Sequence, residues 1–135
     1  MKYVTVPIFN HEYKVVVCWG DVKYLKKLLE DYHYEPDTVT NRVLQEETEE
    51  RRGVTFHQHR CYSVIWVDAD LPVDDAIGTL AHEAVHAVDY TFDAIGENVY
   101  HSEVFAHSVG AIVRESIKAM NLFRKEKKCN TQAMK

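Results

Sequence analysis

Apolar and polar residues largely alternate over the first twenty positions, as Tyr3-Val4-Thr5-Val6-Pro7-Ile8-Phe9 and, after Asn10-His11, as Tyr13-Lys14-Val15-Val16-Val17-Cys18-Trp19. A period of two belongs to strands with one buried face, and the polar break between the runs predicts a turn, so the segment is expected to be a β-hairpin. Gly20-Asp21 ends it. Val22, Leu25, Leu28 and Leu29 then change the period to threes and fours, predicting a helix to about Tyr32. From Glu35 to Arg52 the chain turns polar and carries the charge run Gln45-Glu46-Glu47-Thr48-Glu49-Glu50-Arg51-Arg52, which is expected to be a solvated loop or short helix. Val54 to Asp68 alternates again about a polar turn, giving a second hairpin that stops before Pro72.

Beyond Leu71-Pro72 the period becomes helical and stays so. Asp74 and Asp75 suit the first turn of a helix, where the dipole favours negative charge, and Ile77, Leu80, Ala81, Ala84, Val85, Val88 and Phe92 form its core-facing stripe. Gly96 supplies a stop. Ser102 is a fitting N-cap for a second helical period running from Glu103 past Val113, so the two helices form a hairpin. These elements predict an α+β fold, with a small, mainly antiparallel sheet packed on three or more helices. Residues 1–122 are expected to form one domain, and the charged segment 123–135 a frayed tail.

The first of these two helices carries His82-Glu83-Ala84-Val85-His86. Residues four apart are neighbours on a helix, so the imidazoles of His82 and His86 can converge on one tetrahedral zinc ion at ~2.0–2.1 Å. Glu83 lies about 100° round the helix, where it can reach a water without being a ligand. A catalytic zinc site uses three protein ligands, which leaves one to find. Measured from Gly96, His86 lies ten residues back, while Glu103 and His107 lie seven and eleven forward, so all three are at comparable heights in a helical hairpin. Glu103 also fits an ordinary first-turn acid. Glu103, His107, Gly110 and Arg114 share one helix face, on which Gly110 would let the two helices approach closely. Asp89, three residues past His86, is a candidate to orient a ligand, or a plain surface aspartate. The metzincin pattern is excluded, because Asp89 and Phe92 stand where it requires glycine and histidine.

With these residues in view, the chain resembles the gluzincins, thermolysin-like zinc metallopeptidases in which a glutamate from the next helix joins His-Glu-x-x-His. The likeness is closest to minimal single-domain forms. Thr79-Leu80-Ala81-His82-Glu83-Ala84-Val85-His86-Ala87-Val88-Asp89-Tyr90, followed by Glu103-Val104-Phe105-Ala106-His107-Ser108-Val109-Gly110, is similar to small bacteriophage zincin-like proteins. The resemblance covers roughly residues 54 to 115 well. It implies a zincin-like fold with the metal site on the two C-terminal helices, Zn2+ held by His82, His86 and Glu103, and Glu83 as general base. It also implies that a sheet edge beside the metal helix, here the second hairpin, pairs with an extended peptide substrate. The chain departs from the family at His107, where thermolysin-like enzymes carry an aspartate that orients the first histidine. Either another group orients that histidine, or His107 is itself the third ligand.

Composition narrows the partners. The 135 residues are 46% hydrophobic and 27% charged, an ordinary globular balance. The net charge of −5 gives no electrostatic footprint for nucleic acid, and no apolar run approaches the ~20 residues of a membrane span. Cys18, Cys61 and Cys129 are odd in number and widely spaced, and the opening residues have no signal-peptide pattern, so a cytoplasmic protein is expected, in the host cytoplasm if phage-encoded. His57 and His59 share one strand face and form a second candidate metal pair, although a solvent-facing turn is the simpler reading. Tyr62, Tyr100 and His101 are candidate donors to a developing oxyanion. The expected activity is zinc-dependent hydrolysis of peptide bonds. The competing expectation is a zinc-stabilised binding or host-interaction protein with little or no protease activity, and another amide hydrolase, such as one acting on peptidoglycan, would use the same chemistry.

Overall fold

The computed structural model describes residues 2–8, 13–20, 22–31, 52–58, 62–68, 70–94 and 103–122. The expectations placed on the charge run up to Arg51, on His59, Cys61, Gly96, Tyr100, His101 and Ser102, and on the tail lie outside them. Four strands, β1 (Lys2–Ile8), β2 (Tyr13–Trp19), β3 (Gly53–Gln58) and β4 (Tyr62–Val67), form one sheet in the order β1-β2-β4-β3. Both expected hairpins are present. β1 pairs antiparallel with β2, setting Val4 opposite Val17, and β3 pairs antiparallel with β4, setting Thr55 opposite Ile65. Their inner strands run parallel, with Val16 beside Val64, so the expected mainly antiparallel sheet is a mixed one, antiparallel in two of its three pairings. The physical reason lies in β2 and β4. Val15 to Trp19 and Ser63 to Val67 are buried at every position, as a central strand covered on both faces requires.

Among the described residues three helices cover the sheet: α1 (Val22–Asp31), α2 (Val73–Ala94) and α3 (Glu103–Met120). Leu25, Leu28 and Leu29 of α1 pack with Val16, Cys18, Phe56, Val64 and Trp66 on one face. On the other, Val6, Val15, Val17, Ile65 and Val67 meet Leu80, Ala84 and Val88 of α2 and Ile112 and Met120 of α3. The alternation of β2 and β4 therefore sorts their side chains between two cores. Burial pushes the Cys18 thiol up to about 12, which keeps it protonated and unreactive at neutral pH, where it donates to the Ile65 carbonyl at 3.3 Å. Asn121, in the left-handed region at φ 54°, ends α3 and returns its N–H to the Lys118 carbonyl at 3.2 Å. Among the described residues no helix is long and apolar enough to cross a membrane.

Candidate metal centre

Pro72 stops the preceding segment and accepts the first helical bond of α2 from the Ala76 N–H at 2.8 Å, with Asp74 and Asp75 in the first turn. The 22 residues of α2 place the histidine motif in mid-helix, where the backbone is held on both sides. Ala76, Ala84 and Ala87 on the buried stripe give the sheet small side chains to pack against. That rotation fixes the other rows. Asp74, Gly78, His82 and His86, each four apart, run along the exposed side, whereas Glu83 turns inward.

His82 and His86 meet as their spacing requires. Their Nε2 atoms are 3.2 Å apart and their rings lie edge to face at 4.8 Å. Two nitrogens held ~2.05 Å from a tetrahedral ion are ~3.3 Å apart, so the separation of this pair matches two adjacent corners of a zinc coordination sphere. The donor chemistry fits as well, since neutral imidazole is a common zinc ligand.

Glu83 is only 8% exposed. Its Oε2 accepts a short 2.5 Å hydrogen bond from the Thr55 hydroxyl, which also lies 3.1 Å from the Glu83 carbonyl oxygen. This contact depends on how near α2 lies to the edge strand β3, and Gly53 sets that distance. A Cβ there would come within 2.7 Å of Thr79 Cγ2, 3.0 Å of the Trp66 carbonyl oxygen and 3.3 Å of Glu83 Cγ. The Asp68 N–H closes the start of β3 by donating to the Arg52 carbonyl at 2.9 Å. Between β3 and the first turns of α2 opens a cavity of about 390 Å³ lined by Arg52, Gly53, Asp74, Asp75, Gly78, Thr79, His82 and Glu83. Thus His82 and Glu83 border the same space. Its three carboxylates are offset only by Arg52, which pairs with Asp75 at 3.4 Å, so the rim suits positive charge.

The two glycines of this cavity have opposite roles. A Cβ at Gly78 meets nothing within 4 Å, so Gly78→Ala should stabilise the helix by up to ~1 kcal/mol. Gly53→Ala, forced against a backbone carbonyl, should destabilise the chain by ~1–3 kcal/mol. Urea denaturation of the two variants measures both, and equal shifts would contradict the close approach assigned to Gly53.

The structure does not bring Glu103 to the histidine pair. Glu103 and His107 bond each other at 3.5 Å on α3, with side chains 90% and 82% exposed. Among the described residues no three His, Cys, Asp or Glu side chains are grouped to hold one ion. The cause is the rotation of α3: Ser108, Ile112, Ser116 and Met120 are its buried row, which turns Glu103, His107, Gly110 and Arg114 outward. Gly110 therefore does not serve the close helix approach expected of it, since an added Cβ would meet nothing within 4 Å. Asp89 bonds neither imidazole among the described residues.

His57 also departs from expectation. It belongs to β3 and not to a solvent-facing turn, and it is half-buried, with Nδ1 3.2 Å from the Ser63 hydroxyl. Its ring stacks on Tyr90 of α2 at 5.2 Å, and Tyr90 in turn stacks on His86 at 6.4 Å. Sequence reasoning had passed over Gly53, Thr55 and Tyr90. Two signals were there: Gly53, Thr55 and His57 alternate along one face of β3, and Tyr90 lies one further turn along the His82–His86 row. Family models, curated proteins and solved structures include no match to this chain.

Proposed function

We propose that the chain is a zinc-dependent metallopeptidase of zincin-like, minimal gluzincin type, acting in the cytoplasm. His82 and His86 supply two ligands, Glu103 the third, and Glu83 the general base. The observation that carries this reading is the convergence of the two Nε2 atoms at 3.2 Å beside a cavity that Glu83 also lines. Glu103 opens α3, and its recruitment belongs to the proposal, because metal binding and local ordering are coupled. When bound, zinc supplies Lewis acidity toward the scissile carbonyl and lowers the pKa of water to ~7.

The chain's own groups do the rest. The Glu83 carboxylate takes a proton as water oxygen adds to the carbonyl carbon, then returns it to the amide nitrogen as the C–N bond breaks, leaving a carboxylate and an amine. The Thr55 hydroxyl, donating to Oε2, holds the Glu83 carboxylate in place. As the edge strand beside α2, β3 offers main-chain groups to an extended peptide, which would cross His82 and Glu83 on its way into the cavity.

One observation favours a second reading, a zinc-stabilised binding protein without efficient proteolysis: Glu83 is buried and already employed in tying α2 to β3. A mixed peptide-library digest beside thermal melting, each with and without chelator, separates the two. Cleavage abolished by chelator and restored by zinc supports the peptidase. A large loss of melting temperature on chelation, with no cleavage in any condition, would transfer the chain to the binding class.

A further inference from the structure

A metal-bound histidine usually gives its other ring N–H to a carboxylate or carbonyl, and that bond selects the orientation of the ring. Among the described residues His86 has no such acceptor; its hydrogen-bond partner is His82, and its ring neighbours are His82 and Tyr90. The second side-chain torsion of histidine is broad, so something else has to choose the angle at which Nε2 faces His82. Tyr90, one turn further along α2, lies nearly parallel to His86, at 26°. Tyr90 is 41% exposed, so a second contact is needed to hold it. The His57 ring supplies one, stacked on Tyr90 with centroids 5.2 Å apart and planes at 28°. His57 is in turn fixed to the sheet, because its Nδ1 meets the fully buried hydroxyl of Ser63, its cross-strand partner in the β3–β4 register.

We propose that Tyr90, braced by His57 against the sheet edge, is the positioning residue for His86, a stacked ring standing where other zinc sites use a hydrogen bond. The inference rests on the reading of His86 as a ligand. Stacks with ring centroids 4.5–7 Å apart are attractive and restrict rotation, and both distances here fall in that interval. The arrangement also explains why a half-exposed tyrosine and an edge-strand histidine face each other across the gap between β3 and α2. Removing the aromatic face should lower metal affinity by ~10–100-fold, the range seen when the supporting contact of a ligand is lost.

The test compares the full chain with its Tyr90→Phe and Tyr90→Leu variants. Stripped protein is titrated with Zn2+ and with Co2+ against a chelating indicator, and the visible spectrum of the cobalt form is recorded. Tyr90→Phe should keep affinity and spectrum, while Tyr90→Leu should weaken both metals and alter the spectrum, with metal-free melting curves alike for all three. In the metal-free state, the His86 ring protons should lose their ring-current shift in Tyr90→Leu and retain it in Tyr90→Phe. Unchanged affinity and spectrum in Tyr90→Leu, in a chain that does bind zinc, would overturn the inference alone. A wild-type chain that takes up no zinc would overturn the ligand reading and this inference with it.

Discussion

Glu83→Gln is expected to keep about one zinc per chain and to lower peptide hydrolysis by ~10²–10⁴-fold, the usual contribution of a positioned general base. The substitution is informative because of what it preserves. The glutamine amide oxygen still accepts from the Thr55 hydroxyl, so the contact between α2 and β3 survives, while the basic oxygen that would take the water's proton is gone. Elemental analysis and kcat/KM on a peptide identified by the library digest measure the two halves of the expectation. Full turnover in a folded, zinc-loaded Glu83→Gln chain would remove the mechanism. A collapse of its melting temperature would instead show that the amide does not replace the carboxylate in the joint between α2 and β3.

The ligand variants carry the other large effect. His82→Ala and His86→Ala should each lose zinc by much more than the ~10–100-fold that a supporting contact is worth, because each removes a donor from a pair already set at coordination distance. Glu103→Ala should fall with them, and His107→Ala should not. Zinc competition titrations of the four variants decide the third ligand. Full affinity in Glu103→Ala with loss in His107→Ala would move that role one turn along α3. Full affinity in both would leave the histidine pair without a partner from α3 and remove the gluzincin pattern. None of the four side chains is buried, so loss of metal in these variants is not an effect of core packing.

Much of this was legible from period and spacing. The two hairpins, α1, and the helices carrying His82 and Glu103 follow from side-chain periodicity, because burial on one face imposes that period whatever the neighbours are. The parallel contact of β2 with β4 did not follow. An apolar run such as Val15-Val16-Val17-Cys18-Trp19 reports burial on both sides but not the identity of the neighbouring strand. His82 and His86 were legible because one helix fixes their relation. The relation of Glu103 to them depends on the rotation and approach of a second helix, which no spacing along the chain encodes, and the buried row of α3 turns that residue outward. Thr55, Gly53 and Tyr90 matter through contacts between β3 and α2, and a contact across elements is visible only once the elements are placed.

The side-by-side alignment of β2 with β4 has a kinetic consequence. Each hairpin closes over a handful of residues, but joining them requires the chain from Gly20 to Cys61 to loop round before any contact rewards the entropy lost. Until that loop closes, the strands β2 and β4 that meet in the finished sheet stay unpaired with each other, so this joining is the expected slow step. The β3–β4–α2 portion, whose contacts are short in sequence, is free to assemble beforehand, so the histidine pair can be in place before the N-terminal hairpin docks.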